Sequence, residues 1–177
     1  MAFPDTFTTA RLYAERLNES HWVELHRMHR DPMAMAHLGG VRDANWTTAY
    51  LVRNLEHWDR NGFGLWILRE TPVGEPVGRA VLRHLKVDDV DEVEVGYGFY
   101  EPHWGRGLAT EITQACLRFG FDVLRLSTLV AVTSPDNHAS QHVLGKCGLV
   151  FDRFVTMEDA PQWLFRTRAL VAPPPHA

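Results

Sequence analysis

Glu92–Leu117 runs EVEVGYGFYEPHWGRGLATEITQACL and holds the strongest pattern in the chain. The first part, Glu92–Tyr100, alternates and is rich in Val, Tyr and Phe, the pattern of a strand. Pro102 stops sheet pairing. Gly105 and Gly107 open the backbone. An amphipathic helix follows, with Leu108, Ile112, Ala115 and Phe119 on one face. Strand, glycine turn and helix in that order leave unpaired backbone N–H groups at a helix N-terminus, where the macrodipole is positive. Such a turn suits phosphate or pyrophosphate, and the glycines let the ligand approach the main chain.

The turn is not a P-loop, because no spaced second glycine is followed by Lys-Ser or Lys-Thr. It is not a dinucleotide fingerprint, because Thr110 stands where GxGxxG needs its third glycine. A different phosphate-bearing ligand is therefore expected.

Glu94-Val95-Gly96-Tyr97, followed by Trp104-Gly105-Arg106-Gly107-Leu108-Ala109-Thr110-Glu111, resembles the acetyl-CoA signature of the GNAT N-acetyltransferases. It is most similar to the RimJ/RimL branch, whose turn is written Q/R-x-x-G-x-G/A. Gly107 and Ala109 fill the last two slots. Trp104 stands at the first, where the branch commonly has Trp. Downstream, Asn137-His138-Ala139-Ser140 and Lys146-Cys147-Gly148-Leu149 resemble the branch's N-x-x-S and K-x-G-F/L segments. The resemblance spans Thr9 to Arg168.

At 177 residues the chain is expected to form one domain, residues 1–171, with a disordered Pro-rich tail over 172–177. The net charge of −4 and the lack of a basic block argue against nucleic acid. No apolar run is long enough to span a bilayer, and no signal peptide pattern is seen. The expected location is the cytoplasm. Cys116 and Cys147 are read as small buried thiols rather than a disulfide.

Ala10–Leu17 reads as an edge strand after a short lead, Met1–Thr8. Asn18 caps a helix that runs to Arg30, before Asp31-Pro32. His21, His26 and His29 lie on it, but no Cys or carboxylate completes a ligand set. They are read as helix surface, and no metal is expected. Gly39-Gly40 marks a turn, and Trp46–Asn61 is a helix with Tyr50, Leu51, Leu55 and Trp58 buried. Phe63–Arg69, Val77–Val87 and Glu92–Tyr100 form an antiparallel meander. Leu108–Phe121 returns the chain to a strand, Ser127–Thr133, set parallel to the last strand of the meander. A short helix, His138–Cys147, precedes a closing hairpin, Leu149–Thr156 and Gln162–Leu170.

The resemblance implies an α/β (α+β) GNAT fold: a mixed, mostly antiparallel sheet with helices on both faces. Its two central parallel strands splay, and the pantetheine arm enters the gap. A β-bulge is expected in Glu92–Tyr100. The acyl donor implied is acetyl-CoA, held by Tyr97, Gly98, Phe99, Gly105, Arg106, Gly107, Leu108, Ala109, Thr110 and Asn137. The oxyanion donor is a backbone N–H near Gly96–Phe99. Glu94 is the candidate base, with Glu92 on the same face and His84 in reserve. Ser140 is the candidate hydrogen-bond donor to the leaving thiolate. No activating pattern supports Cys147 as a nucleophile.

His37, Leu38, Trp46 and His84 are the candidate acceptor residues. The acceptor implied is a primary amine, above all a protein or peptide N-terminal α-amine. A polyamine, an amino acid or an aminoglycoside is the alternative, and an acetyl-CoA-binding sensor is a different class. A peptide needs an open groove beside the first two helices, whereas a small cation needs acidic residues. Asp88, Asp89, Asp91, Glu92 and Glu94 keep the cation in play. A monomer or homodimer is expected.

Overall fold

The computed structural model describes residues 4–157 and 159–169, so the expected tail lies outside the described residues. The strands are β1 (Thr6–Thr8), β2 (Tyr13–Arg16), β3 (Leu65–Arg69), β4 (Pro76–Val87), β5 (Val90–Phe99), β6 (Thr128–Thr133), β7 (Val150–Met157) and β8 (Ala160–Arg168). They form one sheet in the order β1-β2-β3-β4-β5-β6-β8-β7. Every pairing is antiparallel except β5 with β6. The helices are α1 (Trp22–His29), α2 (Pro32–Met35), α3 (Ala44–Asn61), α4 (Leu108–Arg118) and α5 (His138–Lys146).

The β4–β5 hairpin positions the site. Asp88 and Asp89 both take positive φ, 49° and 63°, and Val87 pairs with Val90 across them. Two positive φ values match the right-handed twist of the flanking strands, so the turn fixes the register outward. Arg83 then lies opposite Glu94, and Arg79 opposite Gly98. The ladder runs without a break from Val87↔Val90 to Gly78↔Phe99. The bulge expected in this strand is therefore absent from its β4 edge. Register shifts fall instead at Leu68/Arg69 and Phe151/Arg153.

On its other edge β5 meets β6 at a single register pair, Glu94↔Val130. Beyond Glu94 the two parallel strands part, which is the expected splay. α4 crosses beside it. Leu108, Ile112, Ala115 and Cys116 are each at most 3% exposed, and burial of Leu108 or Ile112 contributes about 2 to 3 kcal/mol. Past Arg118 the helix widens into a π-helical turn, Phe119–Val123, rather than continuing to Phe121 in α geometry.

Three local readings are corrected. β1, three residues long, pairs outside β2, so β2 is not the edge. Three residues carry too little periodicity to register as a strand. α2 is a single turn started by Asp31 and Pro32 inside what reads as a loop. His21 and His29 are buried at 3% and 0% exposure rather than on the helix surface. His21 accepts from the Asn18 N–H and closes the capping box, and His29 packs between α1 and α3 against Trp46 and Tyr50.

Candidate active site

The turn after β5 is built to stay open. Pro102 sits in a short 3-10 turn, Glu101–His103, and the Trp104 indole donates to the Phe99 carbonyl at 2.8 Å, closing the turn on the strand end. Gly105 and Gly107 adopt φ of 70° and 78°. That left-handed geometry costs an L side chain about 1 to 2 kcal/mol. The helical segments starting at Glu19, Pro32, Ala44 and His138 are each capped by an acceptor side chain: Asn18, Asp31, Asp43 and Asn137. α4 has none. Its first N–H groups face outward from a helix of 11 residues, the arrangement that takes a phosphate.

A clamp that the sequence does not announce holds this turn. The Arg11 guanidinium donates to the Arg106 carbonyl at 2.6 Å and to Glu111 Oε2 at 2.8 Å. Glu111 Oε1 also accepts from the Arg11 N–H and the Thr9 hydroxyl. Burial opposes ionisation of Glu111, but the bonds from Thr9 and Arg11 outweigh it and hold the carboxyl below its ordinary value. The partners are a hundred residues apart in the chain, so no local pattern reveals them. Arg106, expected to add charge for the ligand, pairs with Glu70 and contacts His103.

At the splay Glu94 is 4% exposed. Arg83 Nε donates to its Oε2 at 2.6 Å. Oε1 has no hydrogen-bond partner among the described residues and lies on the Gly96 side, 4.0 Å from where a Cβ on that glycine would stand. Glu92 is not an equivalent rival. Both its oxygens are taken by Arg166, at 3.1 and 2.6 Å. Two more of the acidic set are also countered, Asp88 by Arg153 and Asp91 by Lys86.

Ser140 stands one turn into α5, its N–H donating to Asn137 Oδ1 at 3.1 Å. The Tyr97 hydroxyl donates to Ser140 Oγ at 3.1 Å. Burial pushes the Tyr97 phenol up to about 12 against the pull of that bond, so it keeps its proton near neutral pH. Because Ser140 accepts from Tyr97, its own proton is free to point elsewhere. Burial pushes the Cys147 thiol up to about 11, which leaves it a poor nucleophile, and Cys116 is buried and protonated as well. Both cysteines are free.

The α2–α3 linker crosses the mouth of the splay. A Cβ on Gly98 of β5 would stand 2.9 Å from a Leu38 methyl. On the β6 side His37 Nδ1 is 3.3 Å from Ser134 Oγ and 3.7 Å from Asp136. Trp46 stacks on Tyr50 next to the linker. His84 does not join them. It pairs in register with Val93, so alternation turns it to the face opposite Glu94, where it packs by the His57 and Phe63 rings. No described helix is long and apolar enough to cross a membrane. Among the described residues, no three His, Cys, Asp or Glu side chains group as metal ligands.

With an open helix start beside splayed parallel strands in place, comparison with known proteins is decisive. The family described as the acetyltransferase (GNAT) domain matches residues 11–150. The chain belongs to the GNAT acetyltransferase family. It is an acyltransferase, its acyl donor is acetyl-CoA, and the open α4 start, the glycine turn and the unpaired β5 edge fit that ligand. A curated relative, the FsC-acetyl coenzyme A-N(2)-transacetylase of Aspergillus fumigatus, is 28% identical over 169 residues, spanning 88% of this chain and 70% of its own. The acetyltransferase from Agrobacterium tumefaciens overlays with a TM-score of 0.82 at 27% identity, covering 95% of this chain and 96% of that one. Two more distant enzymes share the fold alone. The ribosomal-protein-S5-alanine acetyltransferase of Vibrio fischeri has a TM-score of 0.73 at 15% identity, over 92% of this chain and 96% of its own. The spermidine N-acetyltransferase of Vibrio cholerae has 0.71 at 14%, over 90% and 96%.

Proposed function

We propose that this acetyltransferase acts on the N-terminal α-amine of a protein or peptide, by direct transfer within a ternary complex. The observation that carries this reading is the pairing of the acids at the splay. Glu92 and Glu94 are bound by Arg166 and Arg83, so a polyamine finds no uncompensated acidic pair there. An open groove of about 740 Å³ lies beside α1 and the start of α3, lined by His26, Arg30, Val41 and Arg42 among others. It offers a path for an extended chain.

In this reading the N–H groups of Gly105–Thr110 hold the pyrophosphate, and Asn137 and the unpaired edge of Tyr97–Phe99 hold the arm. Glu94 Oε1 takes the proton of the attacking ammonium, directly or through one water. Arg83 fixes the other oxygen and so the rotamer. The amine nitrogen then bonds to the thioester carbonyl carbon, a backbone N–H near Gly96–Phe99 steadies the oxyanion, and the C–S bond breaks. The thiolate leaves toward the Ser140 hydroxyl, whose lone pair Tyr97 occupies.

The test is a mixture of N-terminal peptides and small amines with acetyl-CoA, read by product mass, with Glu94→Gln in parallel. Acetylated peptide is expected, and Glu94→Gln lowers kcat by about a hundredfold at neutral pH and by less at high pH. Exclusive acetylation of small amines refutes the acceptor. A pH–rate profile unchanged in the variant removes Glu94 as the base.

A further inference from the structure

Two other arginines of the sheet whose side chains are at most 16% exposed each find a carboxylate: Arg69 has Glu24 and Arg166 has Glu92. Arg79, only 8% exposed, does not. Its Nη1 bonds the Tyr50 hydroxyl at 2.5 Å, its Cζ lies 5.2 Å over that ring, and its buried Nε has no partner. Burying an uncompensated guanidinium is costly, so an anion that reaches it is held strongly.

Two further arginines close on the same aromatic pair. Trp46 and Tyr50 stack with centroids 5.1 Å apart. Arg42 sits 5.0 Å and Arg53 5.9 Å from the Trp46 ring centre. Among the described residues neither pairs with a carboxylate, and Arg42 Nε is likewise buried without a partner. His29 meets both rings edge-on and leaves its Nε2 unpartnered. Burial first, then Arg79, His26 and Arg42, drives its imidazole down to about 3, so it adds no charge of its own. Asp43, the acid closest in sequence, is spent capping α3 through the Trp46 N–H.

The cluster adjoins the proposed reaction centre. Arg79 is the register partner of Gly98, against which Leu38 rests. Glu94 lies four residues back along β5, about 13 Å of strand. Arg42 also lines the groove beside α1 and α3, together with His26 and Arg30.

Building on the peptide-acceptor reading, we infer that the acceptor carries acidic side chains just after its N-terminal residue. Arg79, Arg42 and Arg53 around the Trp46–Tyr50 stack receive them. The spacing selects among carboxylate sources. An extended chain covers about 3.3 to 3.6 Å per residue, so an α-amine at Glu94 brings the side chains of residues two to four to the cluster. The carboxylate of a free amino acid is too close to its own amine to reach. Guanidinium–carboxylate pairs flanked by aromatic rings hold such a side chain firmly.

The experiment uses the full chain with acetyl-CoA. Its substrates are peptides beginning with Ala and carrying Glu, Gln or Lys at positions two to four, together with free glutamate and spermidine. The expected kcat/KM for the Glu peptides exceeds that for the Gln peptides by about tenfold and falls with added salt. Arg42→Gln and Arg53→Gln, at half-exposed and exposed positions, bring that ratio toward one without changing KM for acetyl-CoA. Arg42→Glu combined with Arg53→Glu shifts preference toward the Lys peptides, a reversal that a merely structural role does not produce. Equal rates for Glu and Gln peptides, or free glutamate as good as the peptides, overturn the inference while leaving a peptide acetyltransferase. Spermidine as the preferred acceptor, or no acetylated amine of any kind, overturns the acceptor reading and this inference together.

Discussion

Removing the Glu111 carboxylate should loosen, from behind, the glycine turn proposed to hold acetyl-CoA, without altering a residue assigned to the ligand. Glu111→Ala deletes the acceptor of three hydrogen bonds, from the Thr9 hydroxyl, the Arg11 N–H and Arg11 Nε. The Arg11 side chain is 48% exposed and Glu111 only 15%, so the ion pair itself contributes at most about 1 kcal/mol. The two remaining bonds reach a charged acceptor, and the one from Thr9 leaves a part-buried donor behind when it goes, so the total loss is about 2 to 3 kcal/mol. For a chain of this size that is a fall in Tm of roughly 4 to 12 °C. Glu111→Gln keeps a carbonyl for Thr9 and the Arg11 N–H but sets an NH2 against Arg11 Nε, so it should lose about 1 kcal/mol. In both variants Arg11 no longer holds the Arg106 carbonyl in place, and acetyl-CoA binds more weakly.

The pH dependence gives a second check on the same variant. The folded carboxyl lies below its ordinary value of 4.5. A depressed carboxyl contributes stability that is present above the unfolded value and is lost as pH falls through the folded one. The gap in Tm between wild type and Glu111→Ala should therefore be full near pH 7 and close progressively below about pH 4. Calorimetric melts across pH, with titration of coenzyme A at pH 7, measure both effects. An unchanged Tm at neutral pH, or a gap that widens in acid, refutes the clamp.

Gly105→Ala and Gly107→Ala share a left-handed backbone cost of about 1 to 2 kcal/mol, so both should melt lower by a similar amount. Only Gly107→Ala puts a methyl 3.4 Å from Arg11 Nη2 at the α4 start, so it should also weaken coenzyme A binding, measured by calorimetry, more than Gly105→Ala does. Tyr97→Phe removes one hydrogen bond to Ser140, about 1 kcal/mol, and should lower kcat about fivefold with KM for acetyl-CoA unchanged; equal kcat in single-turnover assays refutes the relay. His29 stays neutral in the fold to about pH 3, whereas the unfolded imidazole takes its proton near 6.5. Stability should therefore fall with falling pH across that window, and His29→Gln should flatten the slope in melts between pH 4 and 6.5.

Features that depend on near neighbours were legible in the chain. Alternation in Glu92–Tyr100, the glycines at 105 and 107 and the period of Leu108, Ile112 and Ala115 specify strand, open turn and helix, because each property lies within a few residues. The Asn137 cap and the left-handed Gly148 bound α5 by the same kind of local property. The Asp88-Asp89 turn even held the register that sets Arg83 opposite Glu94, although the sequence reading did not use it.

The rest was decided in three dimensions. Whether Glu94 or Glu92 is left with a free oxygen depends on Arg83 and Arg166, one across a hairpin and one 74 residues along the chain. The acidic run from Asp88 to Glu94 reads as a cation trap until tertiary pairing neutralises most of it. Arg11 meets Glu111, and Arg79 meets Tyr50, only because the sheet order and the helix docking bring them together. Charge partners and burial are set by packing between distant segments, and sequence spacing carries no record of those distances.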